Sequence, residues 1–353
     1  MRRSCRAECT QTGARPGFIR FAAVLAIVFL AAVVFSFVWI LRNPAAPVVL
    51  PDLAIGGAKP APVAAPSRVS GADSAKVTAI LDSVSNLLRV NQVGQAETIL
   101  KAAIAEHAGD QRLYVAYAEL LLSKPDLQGA YENYQKALAT GERAARLEFQ
   151  AGTVASMLGK NDLALEHYAA AQAAEPTNPE FVLFLGQVQM QLGKLDEARA
   201  SLVRVTRLAP EDARAWGSLG EIALRENKLN VAEQQIAKAR ELQPRETVWR
   251  FMEARLRVRA GHPDKALELI LPMSDTDKRS EAIARLLADA FSMQRRDADA
   301  AQALAAASDE SPGNANLAFD AAVRADKAGL KELAKRMKDR AAALKHPDAG
   351  KLP

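Results

Sequence analysis

Cysteine is almost missing: Cys5 and Cys9 are the only two in 353 residues. Everything beyond Cys9 therefore folds without a disulfide, whatever its redox compartment. Both stand ahead of the first long apolar run, away from any lipoprotein-like cleavage position, and read as two plain thiols. No Asn-x-Ser/Thr acceptor occurs anywhere, which suits a bacterial periplasm better than a eukaryotic lumen. Histidine is equally scarce. His107, His167, His262 and His346 are dispersed and form no spaced ligand set. There is no H-E-x-x-H, no Walker loop and no G-x-S-x-G, and the Gly-Lys pairs at 159–160 and 193–194 stand where a helix stops, not in a phosphate loop. The many Asp and Glu residues fall on solvated helix faces. No catalytic, metal or cofactor residue is expected, and the chain does not read as an enzyme.

An excess of one charge over the main domain is also lacking. The whole chain has a formal charge of +5 and a pI near 9.2, which invites a nucleic-acid reading. But residues 1–42 hold six Arg against one Glu, whereas residues 77–353 hold 37 basic and 38 acidic side chains. The basicity belongs to the N-terminus, and nucleic acid is not an expected partner.

What is present falls into distinct materials. Residues 1–20 are short and basic, with Arg2, Arg3, Arg6, Arg15 and Arg20. Residues 21–41, "FAAVLAIVFLAAVVFSFVWIL", are uncharged, about 31 Å long as a helix, and match a bilayer core of about 30 Å. The flanking arginines put the N-terminus in the cytoplasm and the rest outside it. The run is longer than a signal peptide's apolar core and ends in "RNPAAPVV", a poor cleavage site, so a retained signal anchor is expected. Residues 42–76 are rich in Pro and Ala and read as a linker, with an extended reach of up to about 100 Å.

Residues 77–348 repeat every 34 positions, in eight units starting at Val77, Gln111, Ala145, Pro179, Ala213, Thr247, Glu281 and Ala315; residues 349–353 read as a tail. Position 20 is alanine in every unit: Ala96, Ala130, Ala164, Ala198, Ala232, Ala266, Ala300 and Ala334. Position 8 is small in seven units. Position 15 is Gly or Asn in six, as befits a helix ending in a left-handed residue. Position 32 is Pro in four units. Two helices per unit follow, at about positions 2–14 and 18–31, with the small residues at 8 and 20 expected to face each other.

Trp216, Leu219, Gly220, Ala232, Ala239 and Pro244 together resemble the signature of the tetratricopeptide repeat (TPR) family. Departures exist: Glu148 and Arg250 replace the large residue of position 4, and Thr247–Ser280 lacks the terminal Pro. The charged last unit, with Lys338 at position 24, suits a polar cap. The resemblance implies an all-α solenoid of eight helical hairpins whose first helices line a concave face through positions 2, 5, 6, 9, 12 and 13. On that reading Phe149, Leu183, Phe184, Met190, Phe251 and Met252 form an apolar floor, and Arg214, Arg225, Arg255, Arg259 and Arg285 form a basic wall for a peptide with apolar and acidic residues. Alternatively, the aromatics pack between units and the arginines pair with neighbouring Glu. The Lys/Asn/Arg carboxylate clamp of some family members is missing, since position 9 runs Thr153, Gln187, Glu221, Arg255.

The chain looks like membrane-anchored bacterial TPR proteins. The expected function is a protein–protein interaction scaffold, an adaptor or holdase for segments of envelope or exported proteins. A structural subunit of a secretion, cytochrome-maturation or polysaccharide assembly is the alternative.

Overall fold

The structure is a computed structural model that describes residues 71–351. Among these the fold is all-α, with seventeen helices and no strand. The expected membrane span at 21–41 and most of the linker lie outside the described residues. Among the described residues no helix is long and apolar enough to cross a membrane.

The helices form two compact bodies, one ending at Arg143, with Met157–Gly159, and one made of Ala144–Ser156 and the chain from Lys160 onward. The first holds α1 (Gly71–Arg89), α2 (Val93–Glu106), α3 (Gln111–Ser123) and α4 (Leu127–Thr140). Next come α5 (Ala145–Met157), α6 (Asn161–Ala174), α7 (Pro179–Gln191), α8 (Leu195–Leu208), α9 (Ala213–Arg225) and α10 (Leu229–Leu242). They are followed by α11 (Thr247–Arg259), α12 (Pro263–Ile270), α13 (Asp275–Lys278), α14 (Glu281–Met293), α15 (Asp297–Glu310), α16 (Ala315–Lys327) and α17 (Lys331–Ala343). The first helices of seven units begin at 34-residue intervals, from Gln111 to Ala315.

Local chemistry sets these boundaries. Asp110, Asn178, Asp212 and Asn314 each precede a first helix, and their side chains accept a backbone N–H from its first turn. Position 15 adopts the left-handed conformation at Asn91, Gly159, Gly193, Asn227, Gly261 and Gly329, and also at Arg295, where φ is +59°. The sequence reading had no reason to include an arginine there. Pro125, at the same position, is barred from that region by its ring.

The core is built from the repeat itself. Seven of the eight position-20 alanines are fully buried, and only Ala334, in the last unit, is partly open. The expected facing of positions 8 and 20 needs correction. A β-carbon on Gly152, Gly186 or Gly220 would meet the position-24 side chain of the partner helix: Tyr168, Leu202 or Ile236, at 2.9, 3.0 and 2.7 Å. Glycine at position 8 thus makes room for a large residue, and the position-8 alanines Ala118, Ala254, Ala288 and Ala322 are buried as the position-20 alanines are.

Three boundaries differ from expectation. Helix α1 starts at Gly71, inside the expected linker, because Arg112 reaches across to it, donating to Thr78 Oγ1 at 3.0 Å and the Ser74 carbonyl at 3.2 Å. The second helix of the Thr247 unit is only Pro263–Ile270. Pro272 has no N–H for the Glu268 carbonyl and its ring clashes with that carbonyl, so the helix cannot continue. Ser274 then caps the short α13, accepting from Asp277 N at 3.1 Å, and the next unit starts in register. Finally, Ala349 is buried with Ala318 and Ala341, and the His346 ring stacks on Phe319 at 4.1 Å, so the expected tail begins with residues packed on the last pair of helices.

Candidate functional site

The expected apolar floor is not a surface. Phe149, Leu183, Met190, Phe251 and Met252 are all buried, and Phe184 is half-buried. Phe149 sits among Tyr168, Phe181 and Phe184 with ring centroids 5.5, 5.0 and 5.0 Å away, an edge-to-face contact in the last case. Such pairs are worth about 0.5–1.5 kcal/mol beyond their burial, so this cluster glues adjacent units together. The physical reason for the correction is geometric. On a stacked helix, positions 5, 6 and 12 face the next unit as much as they face solvent.

The arginine wall is engaged in the same way. Arg214 folds back on its own helix cap, with Nε and Nη2 at 3.0 and 2.6 Å from Asp212. Arg225 donates to Glu221 at 3.1 Å and to the Met190 carbonyl of the preceding unit at 3.0 Å. Arg259 repeats that bond one unit later, to the Leu224 carbonyl. Both reach carbonyls in the last turn of a first helix, which also accept the backbone N–H of Gly193 and Asn227 and carry the negative end of the helix dipole. Arg255 donates to Glu221 at 2.7 Å and lies over the Phe251 ring at 5.8 Å. Glu221 is buried between two guanidinium groups. Arg225, Arg255 and Arg259 clamp neighbouring units and Arg214 braces its own cap; they do not stand free for a ligand.

A second buried pair was missed. Glu148 and His167 are 2% and 7% exposed, and Nδ1 of the ring lies 2.7 Å from the carboxylate. The sequence showed Glu148 only as a departure at position 4. Its companion was visible as the histidine at position 23 of the same unit.

Of the expected basic wall, Arg285 lines an open hollow. It lies between α14, α15 and α16 and encloses about 180 Å³. Arg285 and Asp289 face Asp320 and Arg324 across it, with Ala288 and Val323 on its walls. Arg285 is tied to Asp320 and, at 3.1 Å, to Glu281. Arg324 donates to Ser292 Oγ and lies 3.4 Å from Asp289. The Asp289 side chain is 58% exposed, yet the surrounding protein withdraws enough water to push its carboxyl pKa up, against the pull of Arg324 and Arg285. Asp320, Val323 and Arg324 were overlooked because the last unit reads as a polar cap. The signal available was their place at positions 6, 9 and 10 of its first helix.

Comparison with known proteins agrees on the repeat. Two tetratricopeptide repeat family models match, at residues 156–222 and 251–315. The chain thus carries TPR repeats. Among curated proteins none matches this sequence. Among solved structures, a tetratricopeptide repeat protein from Parabacteroides merdae superposes with a TM-score of 0.59 at 18% identity, covering 76% of this chain and 99% of that one. PilF of Pseudomonas aeruginosa gives a TM-score of 0.50 at 18% identity, covering 62% of this chain and 99% of its own. At these identities the likeness is one of fold.

Proposed function

We propose that this chain is a membrane-anchored adaptor whose repeats hold peptide segments of envelope or exported proteins. Its anchor would be residues 21–41, its tether the linker that follows, and its repeat domain would lie outside the cytoplasm. TPR repeats are in general scaffolds for protein partners, and no enzymatic family is indicated. The observation that carries the adaptor reading is the hollow at Asp289, an open surface on the first-helix side whose polar groups are held in place by neighbouring units. Burial of Phe149, Leu183, Met190, Phe251 and Met252 favours selective polar recognition over a holdase, which needs a contiguous exposed apolar patch.

The test is crosslinked affinity capture from membranes with the full chain, comparing Asp289→Lys in the hollow with Val231→Glu on the exposed side of α10. Partners lost only with Asp289→Lys support an adaptor. A fixed-ratio partner set that survives both substitutions instead marks a structural subunit of a stable assembly.

A further inference from the structure

We propose that the hollow between α14, α15 and α16 receives a single basic side chain, lysine or arginine, from the bound segment. This rests on the adaptor reading above and names the chemistry that its site selects.

Size comes first. Small-molecule and cofactor sites run to about 300–1,000 Å³. About 180 Å³ is too little for such a ligand and suits one long side chain. The walls suit its shape: Val323, 39% exposed, offers open aliphatic surface, backed by the buried Ala288 and Leu304. A lysine or arginine stem buries its methylenes on such a surface while its head stays with polar groups.

The sign of the charge follows from which groups are already committed. Both guanidiniums are engaged: Arg285 with Asp320 and Glu281, Arg324 with Ser292 and Asp289. The charged lining is balanced, Asp289 and Asp320 against Arg285 and Arg324. Asp289 is the least well held, since its one close ion pair is 3.4 Å long and its side chain remains mostly open. A carboxylate offers about four acceptor sites, and those of Asp289 are the most open in the lining. An incoming anion would have to break an existing arginine–carboxylate pair and face Asp289. An incoming cation meets Asp289, the most open charged side chain of the lining.

This inverts the expectation of an acidic partner drawn from the arginines alone. Those arginines are structural; the group left open to a partner is an aspartate.

The test is panning of a random heptapeptide phage library on the immobilised full chain, wild type and Asp289→Asn. Asp289→Asn is nearly isosteric and leaves the Arg285–Asp320 pair intact. The expected result is a recovered pool enriched in Lys or Arg at one position, with the enrichment lost in the variant. A recovered lysine peptide, synthesised with a fluorescent label, should bind the wild type about tenfold more weakly when that lysine is acetylated, the scale of one hydrogen bond to a charged group. Because acetylation changes the ligand and not the protein, this arm does not depend on the variant folding. A pool enriched without a basic bias, or with Glu or Asp, overturns the basic-side-chain assignment and leaves the adaptor reading standing. So does unchanged binding on acetylation. Absence of any enriched peptide overturns the adaptor reading, and this inference with it.

Discussion

A β-carbon placed on Gly217 would lie 2.1 Å from Cζ3 of Trp249. The glycine is in α9 and the indole, 3% exposed, in α11, so the first helices of two consecutive units meet across a missing side chain. The Trp249 ring is further fixed by its Nε1, which donates to Gln243 at 3.2 Å. Gly217→Ala should therefore destabilise the fold by about 1–3 kcal/mol through overpacking, read by urea unfolding. The double variant Gly217→Ala/Trp249→Phe should cost less than the sum of the two single changes. Strict additivity would show that the contact does not constrain the stack.

Arg295 holds a left-handed backbone that six other units give to Gly or Asn. That conformation costs an ordinary L-residue about 1 kcal/mol or more, and glycine's larger unfolded-state entropy offsets part of the relief. Arg295→Gly should raise stability by about 0.5 kcal/mol, while Gly193→Ala, at φ +76°, should lower it by about 1 kcal/mol. Thermal unfolding of the two variants should move in opposite directions.

Glu221 is the shared acceptor of Arg225 and Arg255, and is 5% exposed. Glu221→Leu leaves two partly buried guanidiniums without their carboxylate and should cost about 3–5 kcal/mol. Removing all three charges, as Glu221→Leu/Arg225→Met/Arg255→Met, should cost less than that single change. A triple variant weaker than the single would show that the arginines' other contacts, to the Met190 carbonyl and the Phe251 ring, outweigh the charge pair.

Asp110 predicts an acid-side effect in the first body. The bidentate bond from Arg112 holds its carboxyl below the ordinary carboxylate range. A folded pKa depressed in this way adds stability that is present above the unfolded value of about 3.9 and is lost as pH falls through the folded one. Asp110→Asn keeps a capping oxygen but no titrating group. Its stability should fall less steeply than the wild type's below about pH 4, as followed by circular dichroism during acid titration.

How much of this was legible depends on what each residue answers to. Ala232, Gly193 and Asn227 obey backbone and packing rules that recur every 34 positions, so a periodic reading finds them. Arg225 and Arg259 obey a rule that crosses from one unit to the next, reaching carbonyls 35 residues earlier. Within a single unit they look like free charges on a groove. Phe149 and Met252 were misplaced for the same reason, because the face of a helix that meets its neighbour is apolar just as a binding floor would be. The pairing of Glu148 with His167 needs a distance between two helices, which spacing alone does not supply. Asp289 stood in plain view as an acid among arginines, and only the commitments of those arginines make it the exposed partner.

Pro272 has one more consequence. In a linear array each unit is held chiefly by its two neighbours, so cohesion is only as great as at the thinnest layer. The layer that ends at Pro272 has a second helix of eight residues, against fourteen in α10 and α15 on either side. It is a fault line: under heat or pulling force the stretch from α14 to the C-terminus should detach as a block before the middle of the array melts. The Asp289 hollow belongs wholly to that block. Its availability to a partner is thereby tied to the cohesion of a layer it does not touch, and a ligand that staples α14 to α16 would leave the fault itself unmended.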